Sequence, residues 1–306
     1  MGKVHPQTWV WTNTGLYRVS ELAKDTEPDE LIQGINLDTF THVRLSARNE
    51  LMWRIDTGKG YSFTAASDHL VMVYIDNLLR EVPVERLSPG MVIFRKVGGP
   101  RITTMREIAD TPVDRDWAFS CGEIFTTPIT EIPLIVRQSP VEVIASFLRG
   151  YMKHNPHLTF KTWDDVDVFQ QYLAYIGVES YHKFIVRNNA FKLYLHPGSE
   201  AIFADLLDFE YNEIGEHRLQ LVREVPVLRI PAEWGFSQEE RVPDSFFKEL
   251  VLEELFTGYP YLYKVASSQI VSDYVLAVTP TSEYSDVYSI DGIANNLCAC
   301  NGIITR

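Results

Sequence analysis

Hydrophobic and polar positions alternate in short runs at both ends of the chain and take a longer, helical period only in the middle. Thr8-Trp9-Val10-Trp11-Thr12 is a dense β-type run, Asn13-Thr14-Gly15 a turn, and Leu16-Tyr17-Arg18-Val19 a second strand. One helical turn capped by Ser20 follows at residues 20–23. Further strands are expected at 42–45, 51–55, 61–64, 70–75 and 80–84, then a short turn and another strand through Met91-Val92-Ile93. Short strands at a spacing of about 8–12 residues predict an all-β module. The far end repeats the signature. Residues 287–291 alternate, a gap rich in Gly and Asn follows, and Gly302 leads into Ile303-Ile304-Thr305. A β-branched run without a polar tail predicts a strand tucked into a sheet, with residues 7–18 as its expected partner. Both ends then form one module, and the remainder loops out of it.

Between residues 109 and 265 the period changes. Ser139 as cap, Pro140 as first helical residue and Glu142 in the first turn predict a helix whose apolar face carries positions 143, 144, 147, 148 and 151. A strand at 158–160, an amphipathic helix at 164–176 stopped by Gly177, a hairpin of 181–186 with 191–195 around Asn188-Asn189, and a helix at 200–207 complete the series. Beyond it, 224–231 reads as an extended link, 245–257 as a helix ending at Gly258, and 267–278 as a return to strand.

Composition narrows the classes. A chain of 306 residues with 45% apolar and 23% charged positions can bury a core and is not a disordered sequence. No run approaches the roughly 20 apolar residues of a membrane helix, and no apolar signal core opens the chain. Cys121, Cys298 and Cys300 make neither a disulfide framework nor a CxxC zinc pattern, which predicts a reducing, cytoplasmic setting. Twenty-eight basic against 41 acidic side chains, a net charge of −13, argue against a dedicated nucleic-acid binder.

Five short blocks carry a resemblance. Val4-His5-Pro6-Gln7-Thr8-Trp9-Val10-Trp11-Thr12-Asn13-Thr14-Gly15 resembles the opening block of inteins and other Hint domains, Cys-apolar-x-x-Asp/Gly-Thr-x-Val-x-Thr-x-x-Gly. Residues 63–73, containing Ser67-Asp68-His69, resemble the second block, Thr-x-x-His in a strand, and Leu87-Ser88-Pro89-Gly90-Met91-Val92-Ile93 the turn after it. Val287-Tyr288-Ser289-Ile290 and Leu297-Cys298-Ala299-Cys300-Asn301-Gly302-Ile303-Ile304-Thr305 resemble the two closing blocks. In such domains a first-residue thiol or hydroxyl attacks the preceding carbonyl, the second-block His protonates the departing amide nitrogen, and a terminal Asn cyclises. Carried over residue by residue, the resemblance implies His69 as the catalytic imidazole, Lys3 at the first-nucleophile position and Ala66 at the second-block Thr. Ser289 stands at the closing-block Asp, Asn295 or Asn296 at the His before the final strand, and Arg306 at the penultimate His. Lys3 cannot form the ester. Cys298 and Cys300, alternating with Ala299, are expected on a strand as small side chains, with an internal nucleophile as the other reading. His69 has its own plain reading as a satisfied core histidine, and Trp9, Trp11 and Tyr17 as core.

The middle series, with Phe147-Leu148-Arg149-Gly150-Tyr151-Met152-Lys153-His154-Asn155, resembles one repeat of a LAGLIDADG homing endonuclease. The family's metal-binding acid falls on Asn155, with Pro156 where Gly is usual, and an amide is a poor ligand for a hard dication. Residues 137–230 carry 10 basic and 12 acidic side chains, a weak field for DNA.

The resemblance implies a mixed fold: an all-β Hint/intein horseshoe built from both termini (1–108 and 266–306), interrupted by a degenerate α+β LAGLIDADG-like insertion (109–265). The implied function is an intein that excises itself by acyl shift and terminal cyclisation, with altered or missing junction residues and an inactive endonuclease domain. A splicing-dead Hint-fold remnant or binding module, and a site-specific homing endonuclease, are the alternatives. No cofactor is implied, with magnesium only for an active endonuclease. The implied partners are flanking host-protein segments in cis and a weak DNA contact through the insertion, with no membrane.

Overall fold

A computed structural model describes residues 3–12, 14–25, 32–33, 39–75, 78–99, 107–108, 111–196, 199, 203–204, 207, 270–292 and 298–305. It is mixed, mostly antiparallel sheet with a few helices. Two compact units divide the chain: Met1–Trp11, Arg18–Lys96 and Leu219–Arg306 make one, Thr12–Tyr17 and Val97–Arg218 the other. No helix among the described residues is long and apolar enough to cross a membrane.

The first unit is β-rich and draws strands from both ends of the sequence. Its strands run in the order Trp9–Thr12, Cys298–Cys300, Ile303–Thr305, Leu70–Ile75, Val92–Lys96, Ile270–Gly292, Thr39–Thr57 and Ile32–Gln33. Ser62–Ala66 pairs with Thr39–Thr57, and Leu78–Pro83 with Leu70–Ile75. Leu70–Ile75 is an unbroken apolar run because four of its six residues are buried, as in a strand covered on both faces. Ile270–Gly292 spans the unit: Ile270 to Tyr274 pair with Val92–Lys96, and Val275 onward with Thr39–Thr57.

Two expectations shift here. Residues 42–45 and 51–55 belong to one 19-residue strand, Thr39–Thr57, because Asn49 takes a left-handed φ of 57° inside it without ending it. The strand Ile303–Thr305 does not meet residues 7–18 directly. Asn301 (φ 49°) and Gly302 (φ 75°) fold it back in a two-residue turn of the type that needs positive φ at both positions. Cys298–Cys300 therefore lies between them, with Val10 opposite Cys300 and Cys300 opposite Ile303.

The second unit holds the helices Arg115–Ile124, Leu134–Arg137, Val141–Met152 and Trp163–Tyr175 and a sheet ordered Thr159–Phe160, Ala190–Leu195, Ser180–Ile185. Val143, Ile144, Phe147 and Leu148 are buried, as their spacing predicts. Ser139 does not cap Val141–Met152. Pro140 holds the cap position, and the Ser139 hydroxyl donates to the Ile135 carbonyl at 2.7 Å, back into the preceding helix. Thr162 caps Trp163–Tyr175 by accepting from Asp165 N at 3.1 Å. Residues 12–17 go with this unit because buried Arg137 donates to the Leu16 carbonyl at 3.1 Å and Gln138 donates to the Tyr17 hydroxyl at 2.7 Å. The chain passes from one unit to the other again after Lys96, where the strand Val92–Lys96 ends. The expected elements at 224–231 and 245–257, and most of 200–207, lie outside the described residues.

Arg115–Ile124 and Val141–Met152 cross at two glycines. A Cβ on Gly122 would stand 2.1 Å from the Phe147 carbonyl oxygen, and one on Gly150 would stand 2.2 Å from the Phe119 carbonyl oxygen. The contact is reciprocal: each helix offers a glycine to the backbone of the other.

Candidate active site

Residues 3–5 form a short extended piece between two strands of the first unit. Val4 exchanges backbone hydrogen bonds with Tyr288 (2.9 and 3.0 Å) and bridges Ala65 on its other side. Ala66 N donates to the Lys3 carbonyl at 3.0 Å, and continuing the Val4–Tyr288 register sets Lys3 beside Ser289. The chain then turns at Ser67-Asp68, and His69 N donates back to the Ala66 carbonyl at 3.2 Å. Two residues on, Val71 stands opposite Thr305, which stands opposite Cys298. Lys3, Ala66, Ser289, His69 and the Cys298–Thr305 hairpin are thus brought into one neighbourhood from four separate stretches of sequence.

His69 is fully buried, its ring tilted against Phe63 at a centroid distance of 5.2 Å. Its backbone is satisfied, the carbonyl accepting from Val84 N at 2.9 Å. Neither ring nitrogen has a hydrogen-bond partner among the described residues. Burial penalises the imidazolium and lowers the pKa from 6.5 to about 3, so the ring is neutral at physiological pH. The plain reading, a satisfied core histidine, finds no hydrogen-bond partner for either ring nitrogen among the described residues. A buried imidazole left unpartnered costs free energy on the order of 1–3 kcal/mol, and groups held at that cost cluster at functional sites. Ala66, at the position the resemblance gives to Thr, presents only a buried methyl.

Lys3 points its charge outward. Its Nζ lies 2.9 Å from Asp68 Oδ2 and 3.7 Å from Glu50 Oε1, all on partly exposed side chains. The hydrogen bond to Asp68 is the main cause that raises its pKa, so it stays an ammonium with no lone pair for attack. Ser289 is buried, paired to Arg44 in the sheet. Cys298 and Cys300 are buried on a strand, as their alternation predicts, with sulfurs 3.3 Å apart. The hydrogen bond from Cys298, then burial, holds the Cys300 thiol well above its ordinary value, so in the closed hairpin it is not an activated nucleophile. Arg306, Asn295 and Asn296 lie outside the described residues.

Asn155 belongs to the second unit. Its amide donates to the Thr159 carbonyl and accepts from Thr159 N, both at 3.0 Å, closing the loop after Val141–Met152. A carboxylate could not make the first of these bonds, so this side chain is fitted to its loop as an amide. Among the described residues no three His, Cys, Asp or Glu side chains are grouped to hold a metal.

Sequence reasoning missed Asn301. Its Oδ1 accepts from Trp9 N at 2.8 Å, its Nδ2 donates to the Ser62 carbonyl at 3.1 Å, and its own N donates to the Trp9 carbonyl at 2.8 Å. One side chain fastens the closing hairpin to the opening strand. The Asn-Gly pair between two apolar runs is the signal that could have found it.

No protein-family model matches the chain, and no curated protein matches it in sequence.

Proposed function

We propose that the first unit is a protein-splicing element of the intein type, whose partners are host-protein segments joined to it in cis and whose imidazole is His69. The observation that carries this reading is that the segment Ala66–Val71, which holds a buried imidazole with no partner among the described residues, is backbone-bonded to Lys3 at one end and paired with the Ile303–Thr305 strand at the other. An acyl shift at a residue-1 position needs a proton delivered to a departing amide nitrogen, and a neutral ring nitrogen with no internal partner is available to hydrogen-bond that group. Lys3 leaves the first step without its nucleophile, so no ester forms at that position in this chain. The test is to place foreign segments at both ends and restore Lys3→Cys, with and without His69→Leu. Thiol-dependent release of the upstream segment is expected in Lys3→Cys alone, at least 100-fold faster than in the double variant, from the size of a typical acid–base contribution. Equal rates in the two, or no release at all, remove the reading and leave a splicing-dead Hint-like module, the alternative that the interior residues Ala66 and Ser289 support.

A weaker reading attaches to the second unit. Lys183 stands directly opposite Lys192, next to Tyr181 stacked on Tyr194 at 5.3 Å, on the sheet face away from the helix that holds His182. The Lys183 and Lys192 ammonium groups lie 5.7 Å from the centroids of the Tyr181 and Tyr194 rings, so the two cations and two rings share one face. That face is the one we assign a weak, salt-sensitive DNA contact without cleavage. Binding of a labelled duplex should weaken in Lys183→Glu/Lys192→Glu; unchanged binding excludes this face.

A further inference from the structure

The pair Cys298 and Cys300 has no part in the splicing reading. Residues i and i+2 of a strand point to the same face, and here their sulfurs lie 3.3 Å apart, with Cys298 Sγ also 3.5 Å from the Thr305 hydroxyl. A disulfide bond is about 2.05 Å long, so closure asks the two sulfurs to approach by only about 1.2 Å. We propose that Cys298 and Cys300 are a reversible oxidation site, closing to an intrastrand disulfide at the expense of a low-molecular-weight disulfide such as glutathione disulfide.

The thiolate of Cys298, the slightly more exposed of the two, attacks one sulfur of the oxidant and expels the first small thiol. Cys300 loses its proton, attacks the Cys298 sulfur of the mixed disulfide and expels the second. Two protein thiols and one small disulfide become one protein disulfide and two small thiols; two electrons pass to the oxidant. The hydrogen bond from Cys298, then burial, keeps Cys300 a thiol in the closed hairpin. Reaction therefore runs through brief opening and is slow, base-accelerated and specific to this pair. Closure pulls Cys298 away from Thr305 and bends the strand that pairs with Val10 on one side and Ile303 on the other. A strained three-residue ring of this kind is easily reduced, which suits a transient state in a reducing compartment. If the splicing reading holds, the consequence falls on the strand nearest the downstream junction; the modification itself does not depend on it.

The test uses the whole chain in glutathione buffers of rising oxidised fraction, acid-quenched, unfolded and alkylated, with Cys121 as the internal control because it lies in Arg115–Ile124, half-buried. Two of the three thiols should vanish together, with a mass lower by two hydrogens, the bond mapped to the peptide spanning 298–300, and full reversal by dithiothreitol. In Cys300→Ser the mixed disulfide at Cys298 should persist in place of the ring. Three alkylatable thiols at every ratio, or separate mixed disulfides on Cys298 and Cys300, would overturn the assignment. Neither result bears on whether Lys3→Cys releases an upstream segment, so the two proposals fail separately.

Discussion

His69 ties the candidate chemistry to a measurable proton. The free imidazole titrates near 6.5 and the buried one near 3, so between those values the unfolded chain binds a proton that the folded chain refuses. Stability from this group is therefore complete above pH 6.5 and drains away as pH falls toward 3. Each tenfold difference in proton affinity is worth about 1.4 kcal/mol, so the loss amounts to several kcal/mol. His69→Leu should show a markedly flatter decline between pH 6.5 and 4 in denaturant unfolding, the common carboxylate background cancelling in the comparison. Parallel declines would mean that the ring finds a partner or solvent in the folded state.

Among the elements, the crossing of Arg115–Ile124 with Val141–Met152 is set by what is missing from Gly122 and Gly150. Alanine inside a helix is normally better than glycine by about 1 kcal/mol. Here its methyl would meet a carbonyl oxygen of the other helix at 2.1 or 2.2 Å, and backbone cannot rotate out of the way. Gly122→Ala and Gly150→Ala should each reverse the sign and destabilise by about 2 kcal/mol, since overpacking typically costs 1–3 kcal/mol. Thermal or denaturant midpoints decide it; a stabilised variant would mean the helices separate freely. The sequence announces some elements and hides others for definable reasons. Leu70–Ile75 is legible because its burial on both faces writes a continuous apolar run, and the strand position of Cys298 and Cys300 follows from plain alternation. The glycine crossing left no mark, because a close backbone approach removes a side chain instead of placing one. Ser139 misled because a hydroxyl before Pro140 is good capping chemistry whether or not the hydroxyl turns that way. His69 stood out by motif, but its missing partners depend on Phe63 and Ala66 and belong to packing alone.

At the scale of the molecule, the first unit is held by an ion pair that no local pattern reveals. Arg95 and Asp273, both fully buried and 178 positions apart, meet at 2.8 Å. Asp273 also accepts from the Thr57 hydroxyl at 2.8 Å, Lys59 N at 3.1 Å and Tyr274 N at 2.8 Å, while the guanidinium covers the Tyr61 ring at 3.7 Å. Removing one member of such a pair strands the other charge and costs about 3–5 kcal/mol. Asp273→Asn and Arg95→Met should each approach that figure, and the double variant should fall well short of their sum. Additive losses in an unfolding cycle would show two independent packing defects.

The Asn301 clasp on Trp9 has a consequence for biosynthesis. Strand Trp9–Thr12 leaves the ribosome nearly 290 positions before its neighbour Cys298–Cys300. Throughout that interval the nascent β-edge has no mate, while the helical segment in between can already condense on local contacts. Any polypeptide joined upstream would wait, tethered to an unfinished sheet, until Cys298–Cys300 had emerged.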